Sequence, residues 1–122
     1  MAVILHIADG DAWAAAQRAG VYRPPSVDSE GFIHCSTLAQ TLGSANLFFR
    51  GVAGLVLLRI DESKLQAECH YEAPVGEPAD ERSAERFPHV YGALNLDAVV
   101  QTLPFPCGRD GSFTLPVGIA GL

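Results

Sequence analysis

A chain of 122 residues with 8 basic and 14 acidic side chains, net charge −6, has room for one domain and little more. Just under half its residues are apolar, enough for one packed core without covalent staples. The seven arginines and Lys64 are scattered with no run, which argues against the basic stripe of an extended RNA or DNA binder; a small anionic ligand held by one or two arginines stays open. The three cysteines, Cys35, Cys69 and Cys107, form no CxxC pair and are odd in number, as expected for reduced thiols in a cytosol. The opening MAVILHIADGD has no basic region and no long apolar run, so it is expected to be a strand, not a signal peptide, and no stretch approaches membrane-spanning length. The expected location is cytoplasmic.

In chain order, the aliphatic run from Ala2 to Ile7 predicts a strand. Asp9 or Asp11 caps an alanine-rich helix, AWAAAQRAG, that Gly20 stops. VYRPPSVDSEG predicts a loop, because its double proline and acidic turn residues oppose continuous regular structure. Gly31 to Ser36 predicts a second strand. Thr37 and Gln40 form a capping box for a helix to about Arg50, with Leu38, Leu42, Ala45 and Phe49 on one side. Gly51 and Gly54 bracket a turn, and LVLLRI (Leu55 to Ile60) predicts a central strand covered on both faces. Asp61 caps a short turn, and Glu68 to Glu72 is another strand. The polar PVGEPADERSAER (Pro74 to Arg86) is expected to be a mobile surface loop or lid. Phe87 to Gly92 returns to order, Ala98 to Leu103 is a late strand, and the tail from Pro104 is expected to pack loosely against the sheet. Strands and helices mix without regular βαβ alternation, so the class is α+β in a single domain over 1–122.

Strand alternation sorts side chains onto faces. Val3, Leu5 and Ile7 oppose Ile4 and His6; Ile33 and Cys35 oppose Phe32, His34 and Ser36; Phe87, His89 and Tyr91 oppose Pro88 and Val90. With the purely apolar faces on the core, His6, His34, His89, Ser36 and Tyr91 line one cleft. Any one such histidine is more often a satisfied structural group, and His70 in ECHYE is taken as structural or exposed. Cys35 points away from His34 and cannot pair with it, so it is a small core residue and not a nucleophile. Three imidazoles plus water would be an admissible zinc sphere, but no paired-ligand motif such as HExxH supports it and no metal is expected. No GxSxG elbow supports a Ser-His-Asp hydrolase. Glu30 and Glu72 are the carboxylates near these strands, with turn and solvent-facing roles as the plain alternatives. Arg23 has the rigid fork to anchor a phosphate, or is simply a surface arginine.

The motifs ILHI, YRPPS, EGFIHCST, FPHVYG and LDAVV resemble domain-of-unknown-function family 952, a family of small, mainly bacterial proteins, over about Val3 to Leu103. The resemblance implies an ADP-ribosyltransferase-like fold: a split, strongly curved, mostly antiparallel sheet with packed helices. LHIAD sets His6 where transferases of that fold hold the NAD ribose, although Ile7-Ala8 replaces their Gly-Thr. FIHCST, its following helix and LVLLRID are similar to the RNA 2′-phosphotransferase branch, with His34 and Ser36 at matching places. The late catalytic Glu or Gln has no clear counterpart; FPHVYG offers His89 and Tyr91 instead. The resemblance thus implies NAD, ADP-ribose or another small nucleotide-like ligand: His6, Arg23, Ser36 and Tyr91 in binding, and His34, His89 and Glu72 in catalysis. The alternatives are a non-catalytic small-molecule or protein-interaction domain, and the histidine metal site.

Overall fold

The computed structural model describes residues 2–74 and 84–119. Its elements run β1 (Val3–Asp9), α1 (Gly10–Ala19), β2 (Val21–Tyr22), α2 (Ser26–Ser29), β3 (Ile33–His34), α3 (Leu38–Phe48), β4 (Leu55–Asp61), β5 (Glu68–Glu72), β6 (Phe87–Tyr91), β7 (Leu94–Asn95) and β8 (Val99–Pro104). All strand pairings are antiparallel: one sheet is ordered β1-β4-β8, a second β3-β6-β5, and β2 pairs with β7. The fold is therefore α+β, as the irregular mixture of elements predicts.

β4 is central in its sheet, and its apolar run feeds two cores. Leu58 and Ile60 join Ile4 and Ala8 of β1 on one face, against Trp13 and Tyr22 and against Ile33, Cys35 and Val90 from the other sheet. Leu55 and Leu57 join Leu5 on the opposite face, where Ala45 of α3 packs with Leu38, Leu42 and Phe49 beside it. Covering both faces explains why LVLLRI lacks the apolar–polar alternation of a half-exposed strand. It also means that β1 has no solvent face, so His6 points inward.

Local capping follows the sequence. Asp9 accepts from the Ala12 N–H at 2.9 Å, and Gly20, at φ 87°, returns its N–H to the Ala16 carbonyl. At α3 the Gln40 side chain accepts the Thr37 N–H at 3.0 Å. Gly10 donates its N–H to the Gly54 carbonyl at 2.8 Å, and a Cβ on Gly10 would lie 2.7 Å from that oxygen. Gly10→Ala is expected to cost about 1–3 kcal/mol, as backbone must move to admit the methyl group; a chemical-denaturation midpoint equal to wild type would refute this.

Two expectations are corrected. The double-proline segment is not simply a loop: it contains α2, since Pro24 and Pro25 stand at a helix start, where a missing N–H costs nothing, and their carbonyls accept from Val27 and Asp28. Tyr22, just before it, is paired with Leu94 of β7. The tail from Pro104 does not pack loosely: Phe105, Phe113 and Ile119 are buried in the second core, and the two phenylalanine rings stack at 4.8 Å. Most of the expected lid, residues 75–83, lies outside the described residues. Among the described residues no helix is long and apolar enough to cross a membrane.

Candidate functional site

The register of β3-β6-β5 sets His34 opposite His89 and His89 opposite His70. Residues directly opposite in an antiparallel pair share a face, so three histidines form one row across the sheet. The reverse face carries Ile33 and Val90 into the first core. This is the alternation that FIHCS and FPHVY predict.

Each histidine has a carboxylate neighbour. His34 Nε2 lies 2.8 Å from Glu30 Oε2, His89 Nδ1 lies 2.8 Å from Glu72 Oε1, and His70 Nε2 lies 3.4 Å from Glu68 Oε2. A carboxylate accepts, so the proton sits on Nε2 of His34 and on Nδ1 of His89. That leaves His34 Nδ1 and His89 Nε2 without a hydrogen-bond partner among the described residues. The His89 ring is 2% exposed, stacked on Phe32 at 4.1 Å and 17°, with the His34 ring edge-on at 5.6 Å. The Tyr91 hydroxyl donates to the same Glu72 oxygen that His89 uses. These two donors, Tyr91 first, hold the Glu72 carboxyl below its usual range, and the Tyr91 phenol is raised in turn because its proton is shared with a carboxylate.

His6 is committed differently. Its Nδ1 is 2.6 Å from the His34 carbonyl and its Nε2 2.8 Å from the Tyr22 hydroxyl. A carbonyl can only accept, so Nδ1 carries the proton and Nε2 accepts from Tyr22. Burial pushes its pKa down from 6.5 to about 4, against the opposing help of the His34 carbonyl. His6 is thus a neutral strut from β1 to the His34 segment, with no ring nitrogen free for a ribose hydroxyl. Ser36 is committed too: Thr41 donates to the Thr37 carbonyl, so the Ser36 hydroxyl donates to Thr41 at 2.8 Å and keeps only lone pairs to offer.

Beside this row lies a cavity of about 360 Å³. His6, His34, Ser36, His89 and Glu30 contribute its polar wall; Phe48, Phe49 and Phe87 are prominent in the apolar remainder. Cys35 reaches the wall as well, but burial pushes its thiol far up, which fits the expected inert core residue. Of the sequence-predicted residues, His6, His34, Ser36 and His89 are brought together. Glu72 and Tyr91 stand behind His89 and not on the wall. Arg23 is elsewhere, bound to Asp28 at 2.6 Å and beside a separate shallow depression along α1. As for the three-histidine set, His6 uses both ring nitrogens in hydrogen bonds, and among the described residues no three His, Cys, Asp or Glu side chains are arranged to hold a metal ion. Phe32 is the residue that sequence reasoning left without a role. Its place on the His34 face was legible, but its contact with three rings of two strands, those of His34, His89 and Tyr91, needed the register.

Comparison with known proteins points the same way for fold and family. The profile of a family described as "Protein of unknown function (DUF952)" matches residues 7–102. The crystal structure of protein CC0527 from Caulobacter crescentus is similar at TM-score 0.80 and 30% identity, over 93% of this chain and 95% of that one. A double-mutant crystal structure of that protein gives the same values, and its solution NMR structure is similar at TM-score 0.74 and 31% identity, over 92% and 91%. No curated protein matches.

Proposed function

Because the chain belongs to the DUF952 family, whose description assigns no chemistry, we propose its function from the cavity: a binding and proton-transfer site for a small nucleoside-like molecule. The observation that carries this is the Glu72–His89 pair, with Nε2 of a buried imidazole in a residue of the cavity wall left without a partner among the described residues. A carboxylate on one imidazole nitrogen makes the other a better base and stabilises the imidazolium that forms. His34, held by Glu30, supplies a second proton-transfer group, and the phenylalanines pack against a flat ring.

The antiparallel sheets β1-β4-β8 and β3-β6-β5 support the further proposal of an ADP-ribosyltransferase-like arrangement and an NAD-type ligand. The fit is partial. Ligand cavities span roughly 300–1,000 Å³, and about 360 Å³ suits a ring with its sugar. Among the described wall residues there is no arginine or lysine, so a pyrophosphate belongs outside. In this reading Ser36 offers a lone pair to a sugar hydroxyl, Tyr91 holds Glu72 and does not stack on the base, and Arg23 keeps Asp28. The ligand class is then the nucleoside or mononucleotide end of such a molecule.

NMR titration with NAD, ADP-ribose and nicotinamide mononucleotide tests this. The ring signals of His34 and His89 are expected to shift with at least one of them, and His89→Ala to weaken that ligand by about tenfold or more. No shift with any of the three overturns the proposal. One observation favours a second, non-catalytic reading: the Ser36 proton and both His6 nitrogens are used internally, so these two residues do not form an activated nucleophile and its base. That reading expects bound ligand to persist unchanged for hours; turnover abolished by His89→Ala excludes it.

A further inference from the structure

His89 is nearly sealed from solvent, whereas the Glu72 side chain is 40% exposed. Any molecule filling the cavity would close the Nε2 side of the ring. The Nδ1 side then leads to Glu72, and beyond it to Tyr91, whose ring meets His70 edge-on at 5.3 Å. The row on β3-β6-β5 is thus buried at His89 and open at Glu72 and His70.

We propose that His89 exchanges protons with bulk water through Glu72, and that Tyr91 is the positioning residue that keeps Glu72 on His89 Nδ1. This rests on the reading of His89 as the proton-transfer group and adds how that group is reset while the cavity is full. A proton reaching Nε2 makes the imidazolium. The Nδ1–H bond then breaks, its proton forms an O–H bond at Glu72 Oε1, and the carboxyl releases it to water. The ring is left neutral and protonated on Nε2, ready to return a proton to the cavity and recover its own from Glu72. One proton leaves for each that enters, and no co-reactant is consumed. The lowered pKa of Glu72 suits a group that releases a proton quickly.

The register argues that this is built and not incidental. His70, His89 and His34 are aligned strand to strand, and Glu72 reaches diagonally from the pair Glu72–Phe87 to His89 while its side chain stays 40% exposed. Two donors on one carboxylate oxygen fix its position; Phe32 stacked on the ring fixes the other partner.

The test uses the ligand-free protein, so its outcome does not depend on the proposed ligand. Ring N–H exchange with water and ring nitrogen shifts are read by NMR. Glu72→Gln keeps an oxygen acceptor but cannot take a proton. His89 Nδ1–H exchange is expected to slow by about tenfold or more, with His34 Nε2–H, beside Glu30, unchanged in the same sample. An unchanged His89 rate overturns the route. Tyr91→Phe is expected to convert the single Nδ1–H tautomer of His89 into a mixture; a tautomer ratio equal to wild type overturns the positioning role, and a purely structural role for Tyr91 would not move it. Absence of ligand binding in the titrations above, with this exchange pattern intact, would remove the ligand and leave the proton route standing.

Discussion

Acidification from pH 7 to pH 4 is expected to remove about 3 kcal/mol of folding stability through His6 alone, since a depression from 6.5 to about 4 at about 1.4 kcal/mol per pH unit has that size. The sign follows from proton counting. Between those two values the unfolded chain binds a proton at His6 and the folded chain does not, so stability rises with pH across that window. The contribution is fully present above the unfolded value and is lost as pH falls from 6.5 toward about 4. Its structural cause is burial of the ring, which disfavours the charged form and outweighs the opposing pull of the His34 carbonyl; the bond from the Tyr22 hydroxyl is one that a protonated Nε2 cannot accept. His6→Gln supplies a neutral donor and acceptor and should flatten this part of the profile. Denaturation midpoints across the range, wild type minus variant, measure it; parallel profiles would refute the assignment.

Phe105→Ala is expected to cost about 3–5 kcal/mol, the usual price of emptying an aromatic site in a packed core. Phe105 is 1% exposed, stacks on Phe113, and its N–H donates to the Leu55 carbonyl at 3.0 Å. Val117→Ala, in the same tail but at 99% exposure, should change stability by less than about 0.5 kcal/mol. Equal, small losses for both variants would mean that the tail contributes little, contrary to its place in the second core.

These two residues mark how far the sequence could be read. Periodicity and capping signals are local, and they carried the two-faced burial of LVLLRI, the inward Ile33 and Cys35 against the outward His34, and the caps at Asp9 and Thr37. Phe105 and Phe113 sit among glycines and prolines that erase any period, so their burial could not be seen. The site was legible as a set of faces and not as a set of partners. Alternation grouped Phe87, His89 and Tyr91, but joining Tyr91 to Glu72, or His6 to Tyr22, requires segments well apart in the chain to meet at hydrogen-bond distance. His6 does reach the cavity wall, but the partners that take both its ring nitrogens lie on other segments, which face alternation does not show. Arg23 carried a phosphate-binding expectation on side-chain chemistry alone, and a neighbouring aspartate five residues on took up its charge.

Leu5 and Ser36 exchange both backbone hydrogen bonds at 2.8 Å, an isolated bridge between β1 of one sheet and the segment following β3 of the other. The His6–His34 bond lies beside it. Mechanically this junction is a crease. Leu5 and Ser36 are both on the cavity wall, so a molecule in the cavity would meet this crease from inside. The amide protons of Leu5 and Ser36, which hold the crease closed, are therefore expected to report occupancy of the cavity.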